Sequence, residues 1–263
     1  MPRPVMPLFV DPQDVILRMQ LSADLTGIEE VIVSGIISAQ LHVERVIDGK
    51  LARQSQRAGY FVDAEAFSGI APGGLYRLEV PSGLVRQDVP QVVTVAGAAV
   101  GGPFGSYEAI DSTLMQFDYP RGYLYVDAAT YGNHYVKVAC DTGYEDGSRP
   151  LPVEGLPLWS MTRQYVVGDT VAYNERAYTC IIEPPLDTLP TDAAYWKWAY
   201  LPQEPIPDAI YEAIVSLVPM VFNAQQTTNN SEQAKSQYQT LTDHANLLLQ
   251  PFTRTQGFTF RSI

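Results

Sequence analysis

The residues able to do chemistry in this chain are few and scattered. Histidine occurs at His42, His134 and His244, and no two of them lie at the spacing of a metal motif. Cys140 and Cys180 are too few for a disulfide framework and have no histidine pair near them. Both read as plain buried thiols. Two adjacent acid pairs, Glu29-Glu30 and Glu145-Asp146, are the remaining candidates for proton transfer. The first pair sits where acids favour the start of a helix, and the second follows Gly143-Tyr144 in a loop, so both read as solvated surface. The glycine-rich stretch from Gly97 to Gly105 is not spaced to follow a strand and open a helix, so it reads as a flexible loop rather than a phosphate cradle. No Gly-x-Ser-x-Gly elbow is present. We therefore assign no catalytic residue, no cofactor and no metal, and read the chain as a non-enzyme.

Composition points the same way. The 263 residues carry a net charge of −12, and the acidic excess is spread along the whole length without an acidic tail or a basic arm. A protein that grips phosphates through Lys and Arg is disfavoured by that balance. Charged residues make up only 17% of the chain, against about 25% in ordinary soluble domains. Together with 16 tyrosines and 20 prolines, this predicts a surface covered in large part by partners rather than by water. Met1-Pro-Arg-Pro opens no signal-peptide pattern, and no apolar run is long enough to span a membrane, so a soluble product of the cytoplasm is expected.

The elements that must position any site begin with Asp11-Pro12, an N-cap with proline at the first helical position. A second helix is expected from Ser22 or Thr26 to about Lys50. Ile28, Val31, Ile32, Ile36, Ala39, Val43, Val46 and Ile47 form one face of it. Gly35 weakens that helix and Gly49 is expected to cap it. Val33 and Ile37 lie beside the main face and are the candidates for a contact between subunits. From Gly59 onward the periodicity changes, and Leu75–Val80, Tyr123–Val126 and Tyr135–Val138 read as strands of a small antiparallel region with long loops. Pro207-Asp208 opens a later helix, which Pro219 is expected to kink or break. A last helical stretch leads to a tail from Pro251 to Ile263 that favours extended structure and carries Phe252, Phe258, Phe260 and Ile263.

Between these halves lies a segment, 151–203, with its own composition. It holds all three tryptophans, and it runs from Trp159 through Tyr165-Val-Val-Gly168-Asp169 and Val171-Ala-Tyr173 to Tyr178-Thr-Cys180 and Tyr195-Trp196-Lys-Trp198. Gly168-Asp169 is read as a tight turn, with Val171, Tyr173 and Tyr178 alternating across a hairpin closed by the tryptophans. The segment resembles the small β modules of carbohydrate-binding families 5 and 12. Trp159, Tyr165, Tyr173, Tyr178, Trp196 and Trp198 are then either its core or, by that resemblance, its glycan contacts. Members that bind chitin carry an exposed aromatic pair where this chain has Glu183-Pro-Pro-Leu186.

The flanks carry a second resemblance. A strand pair ends in Thr142-Gly143-Tyr144, and Ile206-Pro-Asp-Ala-Ile-Tyr-Glu-Ala213 then opens an apolar helix. That order is similar to the head–tail connector (adaptor) proteins of tailed bacteriophages, here split at a loop by the aromatic segment. The expected fold class is α+β: a helical bundle with a small antiparallel β subdomain and an inserted all-β, aromatic-rich module. The expected domains are a discontinuous connector domain, 1–150 with 204–263, and the module, 151–203. Within the connector domain, helices are expected over 11–50, the β region over 59–144, and the C-terminal helices and tail over 207–263. The resemblance implies a virion protein of the neck, assembled in the host cytoplasm as a homo-oligomeric ring of about twelve copies. Its partners would be the portal protein, through Phe252, Phe258, Phe260 and Ile263, and tail or neck proteins. Double-stranded DNA would pass through without specific binding, and the acidic balance suits such a conduit. The alternative is a tail or baseplate adhesin that binds a host-surface glycan through the module.

Overall fold

The structure, a computed structural model, describes residues 7–21, 28–63, 74–88, 91–97, 106–226 and 232–254. The protein is a mixed α+β chain with, among the described residues, five helices and three small antiparallel sheets. It divides into two compact units: Met1–Tyr144 together with Ile206–Ile263, and Glu145–Pro205.

The first unit begins with helix α1 (Pro12–Arg18), where the Asp11 side chain accepts the Gln13 N–H at 2.9 Å and proline occupies the first turn. Helix α2 (Ile28–Ile47) buries Ile28, Ile32, Ile36, Ala39, Val43 and Ile47 along one stripe. Each aliphatic side chain removed from water there contributes about 1.5–3 kcal/mol. The stripe packs with helices α4 (Asp208–Gln226) and α5 (Glu232–Leu249), which bury Ile210, Ile214, Leu217, Val218, Ala245 and Leu249 in the same core. Gly35 is the close-approach point, since a Cβ there would lie 3.1 Å from Val218 Cγ1. It therefore serves packing more than it weakens the helix. The left-handed residue that ends α2 is Asp48 (φ 50°), not the expected Gly49. Gly49 instead allows close passage of Ser82 and Gly83, 3.2 and 3.3 Å from where its Cβ would be.

Pro219 does not break α4, which runs on to Gln226. The missing N–H costs one hydrogen bond, while Ile210, Ile214, Leu217 and Val218, on the turns leading up to it, stay in the core. Tertiary packing outweighs the local defect.

Two sheets form the rest of this unit. Strand β1 (Gln54–Val62) pairs over its full length with β7 (His134–Thr142), and β3 (Val92–Gly97) lies on the other side of β7, with the short β4 (Glu108–Ala109) outside it. The second sheet has the order β2 (Leu75–Glu79), β6 (Tyr123–Asp127), β5 (Met115–Asp118), with a one-turn helix α3 (Ala128–Tyr131) after β6. Period-two alternation sends Tyr60, Val62, Val136 and Val138 from one sheet and Tyr76, Leu78, Leu124 and Val126 from the other into one shared core. The β region starts at Gln54 rather than Gly59, and β3 lies in what reads from sequence as loop. The turn Thr142-Gly143-Tyr144 is locked against Leu51 and Ala52, in the segment that follows α2. Gly143 has φ 77° and a Cβ there would stand 2.5 Å from the Ala52 oxygen, while the Tyr144 N–H donates to the Leu51 oxygen at 2.7 Å.

The second unit carries a three-stranded sheet, β8 (Thr170–Tyr173), β9 (Arg176–Cys180) and β10 (Trp196–Trp198), in the order β10-β9-β8. Its hairpin turns at Asn174-Glu175, both in the left-handed region (φ 47° and 60°). Gly168 (φ 97°) makes a separate turn before β8, where its N–H donates to the Cys180 oxygen at 2.9 Å. Tyr165, Val171, Tyr178, Cys180 and Trp196 form the core, with Trp159, Tyr173 and Tyr195 packed around it. The two ends of the unit are clamped together. Glu145 N–H donates to Glu204 Oε2 at 2.7 Å and Glu204 N–H to the Glu145 oxygen at 2.8 Å, and Leu201 and Leu151 extend the ladder through Arg149 and Ala199. Among the described residues no helix is long and apolar enough to cross a membrane.

Candidate functional site

The titratable groups with displaced pKa values are built into the scaffold. Burial pushes the Tyr60 hydroxyl well above its ordinary range, and that hydroxyl donates to the Glu79 carbonyl. Burial likewise pushes the Cys140 thiol up to about 11 and Tyr211 up to about 12, Tyr211 also donating to Asp14. The Asp111 and Asp127 carboxyls fall below their usual range because they accept hydrogen bonds from Thr113 and Thr130, as turn caps do. Among the described residues no group of three or more His, Cys, Asp or Glu is placed to hold a metal ion. His42 is half-buried on α2, His134 opens β7 with Nδ1 2.8 Å from the Gly132 oxygen, and His244 is exposed on α5. Glu29 and Glu30 are exposed in the first turn of α2. Glu145 is not solvated surface: it is 3% exposed, with Arg149 Nη1 3.4 Å away, because it closes the base of the second unit.

Surfaces are the richer source of function. Of fourteen large apolar side chains exposed among the described residues, ten belong to 145–205, including Leu158, Val167, Ile182, Leu186, Trp198 and Tyr200. Four of the six aromatics singled out from sequence meet in pairs there: Trp159 packs edge-on to Tyr173 at 5.4 Å, and Tyr165 to Trp196 at 5.2 Å. Tyr178 lies in the same core. Trp198 does not join them. It is 51% exposed, with the Arg176 guanidinium 4.5 Å over its ring. Register explains the pair, since Trp198 lies opposite Tyr178, two residues along β9 from Arg176 and on the same face. Arg176 carries no sequence signal of this role, because it depends on where the hairpin turns.

In the first unit, Val33 and Ile37 are half-buried, one helical turn apart on α2 and beside the buried Ile32 and Ile36. Phe252 is half-buried against the helical core, and its N–H donates to the Leu249 oxygen at 2.9 Å. Phe258, Phe260 and Ile263 lie outside the described residues. The chain up to that point is held by Arg254, whose guanidinium donates to the Val80 oxygen at 2.6 Å, the Arg121 oxygen at 2.8 Å and Asp48 at 3.2 Å. Arg121 answers by donating to the Thr253 oxygen at 3.2 Å. Gly122 makes room for this latch, as a Cβ there would be 2.9 Å from Arg254 Nη2. A single arginine after a helix does not announce such a role in sequence.

No protein-family model matches the chain, and no curated protein matches it. One solved chain, from the neck of an empty GTA particle computed with C6 symmetry, superposes with a TM-score of 0.39 at 10% identity. The alignment covers 98% of this chain and 95% of that one, a likeness too loose to carry a conclusion.

Proposed function

We propose that this chain is a non-enzymatic structural protein of a phage-like virion neck, a ring adaptor between portal and tail through which DNA passes. One observation carries the reading. The two stretches with connector-like motifs, one ending at Thr142-Gly143-Tyr144 and the other opening at Ile206-Pro207, belong to one compact unit although the second unit separates them in sequence. Tyr144 and Ile206 pack on the same helical core. The inserted unit, clamped at its ends by Glu145 and Glu204, is proposed as the carbohydrate-binding-like module. The low fraction of charged residues and the acidic balance support a surface shared with neighbours and a conduit that does not hold nucleic acid.

Within this reading Val33 and Ile37 contact the adjacent subunit, and the tail beyond the Arg254 latch docks on the portal through Phe258, Phe260 and Ile263. Phe252 serves the helical core instead. Truncation after Arg254 is expected to leave the assembled particle intact and abolish retention on immobilised portal. Retention equal to the full chain would refute the docking role.

Trp198 favours a second reading, a glycan-binding adhesin. Its half-exposed ring, with Tyr200 two residues on and 44% exposed, is a surface on which a sugar face can stack. A glycan array with the full chain separates the two: a hit lost in Trp198→Ala supports the adhesin, and an array without hits removes it.

A further inference from the structure

The outward face of the sheet formed by β1, β7 and β3 carries a groove of about 550 Å³. Register places Arg57, Ala139 and Val92 in one row across it and Gly59, Lys137 and Thr94 in the next, with Tyr135 beyond. Gly59 leaves the floor low, since a Cβ there would have nothing nearer than Lys137 Cγ at 4.0 Å. Val92 is 55% exposed, and the Lys137 ammonium stands 3.7 Å over the Tyr107 ring. Among the described residues two cations line this groove and no carboxylate does, in a chain of net charge −12. Its complement is therefore a segment both apolar and acidic.

The second unit presents such a segment. Over 145–205 the chain has nine acidic against four basic side chains. Between Ile181 and Leu189, the side chains of Ile182, Leu186 and Leu189 are 55%, 58% and 44% exposed, and Glu183 and Asp187 are exposed among them. The loop is held in shape. Pro184 and Pro190 are buried, Gln164 Nε2 donates to the Pro184 oxygen at 3.1 Å, and Thr188 N–H donates to the Pro185 oxygen at 3.3 Å. A segment already ordered loses little entropy on docking.

We propose that the Ile181–Leu189 loop of one copy seats in the sheet groove of a second copy, its aliphatic side chains on the Gly59 floor and Glu183 and Asp187 facing Arg57 and Lys137. The loop and the groove are different patches, so the contact is head-to-tail, the type that closes into rings. It rests on the ring reading above and adds a second contact to the one proposed there for Val33 and Ile37.

The test is charge exchange read by sedimentation velocity. The wild-type chain is expected to sediment as an oligomer. Arg57→Glu with Lys137→Glu in one chain, and Glu183→Lys with Asp187→Lys in another, should each shift it to a smaller species. An equimolar mixture of the two variants, and a chain carrying all four substitutions, should regain the oligomer. Recovery on mixing also shows that neither variant is misfolded. Oligomers indifferent to all four reversals, or no recovery in the mixture and the fourfold variant, overturn this contact and leave the ring reading standing. A wild-type chain that stays monomeric overturns the ring reading and this contact with it.

Discussion

The two units treat their apolar side chains in opposite ways. Unit one hides long stripes of them in two shared cores and leaves four large apolar side chains exposed among its described residues, whereas 145–205 exposes ten. Part of that contrast is scale, because a unit of about 60 residues has too little interior to cover its own surface. Scale does not explain why aliphatic residues stand on its loops, where polar ones would serve a free domain better. The first unit buries its apolar side chains for its own stability, and the exposed aliphatics of the second fit the contact role proposed for it.

The sharpest way to break that separation is Trp196→Ala. Trp196 is 2% exposed at the centre of the small core, so truncation should cost about 3–5 kcal/mol, enough to unfold a unit of this size. Calorimetry should show the loss of one transition while the transition of the larger unit stays in place. A single transition that moves as a whole would merge the two regions into one cooperative body.

A smaller effect is expected at the latch. Arg254→Met removes donors from two carbonyls and from Asp48 and should destabilise the larger unit by about 1–3 kcal/mol. Chemical denaturation should report it through a shifted midpoint. An unchanged midpoint would mean that the C-terminal segment contributes nothing to that unit. The smallest effect belongs to Leu186→Ser, on a side chain 58% exposed: stability should hold within about 0.5 kcal/mol. A larger loss would show that the exposed aliphatics of 145–205 support their own fold, against the contrast drawn above.

Much of the scaffold is legible in sequence because its signals are local. The stripe from Ile28 to Ile47 has the helical period, and β6 and β7 are bounded by glycine turns at Gly122 and Gly132. The misses have a common cause in tertiary context. Gln54 to Arg57 are mostly exposed and lie before the Gly59 start read from sequence, yet nine-residue pairing with β7 makes them strand. Val92-Val-Thr-Val95 is β-branched, a strand signal set between a proline before it and glycines after it, which favour loop. Pro219 is tolerated because the buried face of α4 just before it, from Ile210 to Val218, holds the helix in the core. Glu145 and Arg254 acquire their roles from partners distant in sequence, Glu204 for one and Val80, Arg121 and Asp48 for the other. No spacing rule finds such pairs.

A ring adaptor must assemble at the neck. Negative-stain images of the purified full-length protein, alone and mixed with portal, test it most directly. Closed rings that stack coaxially on the portal are the predicted result. Monomers in both samples, with portal particles left bare, would contradict it.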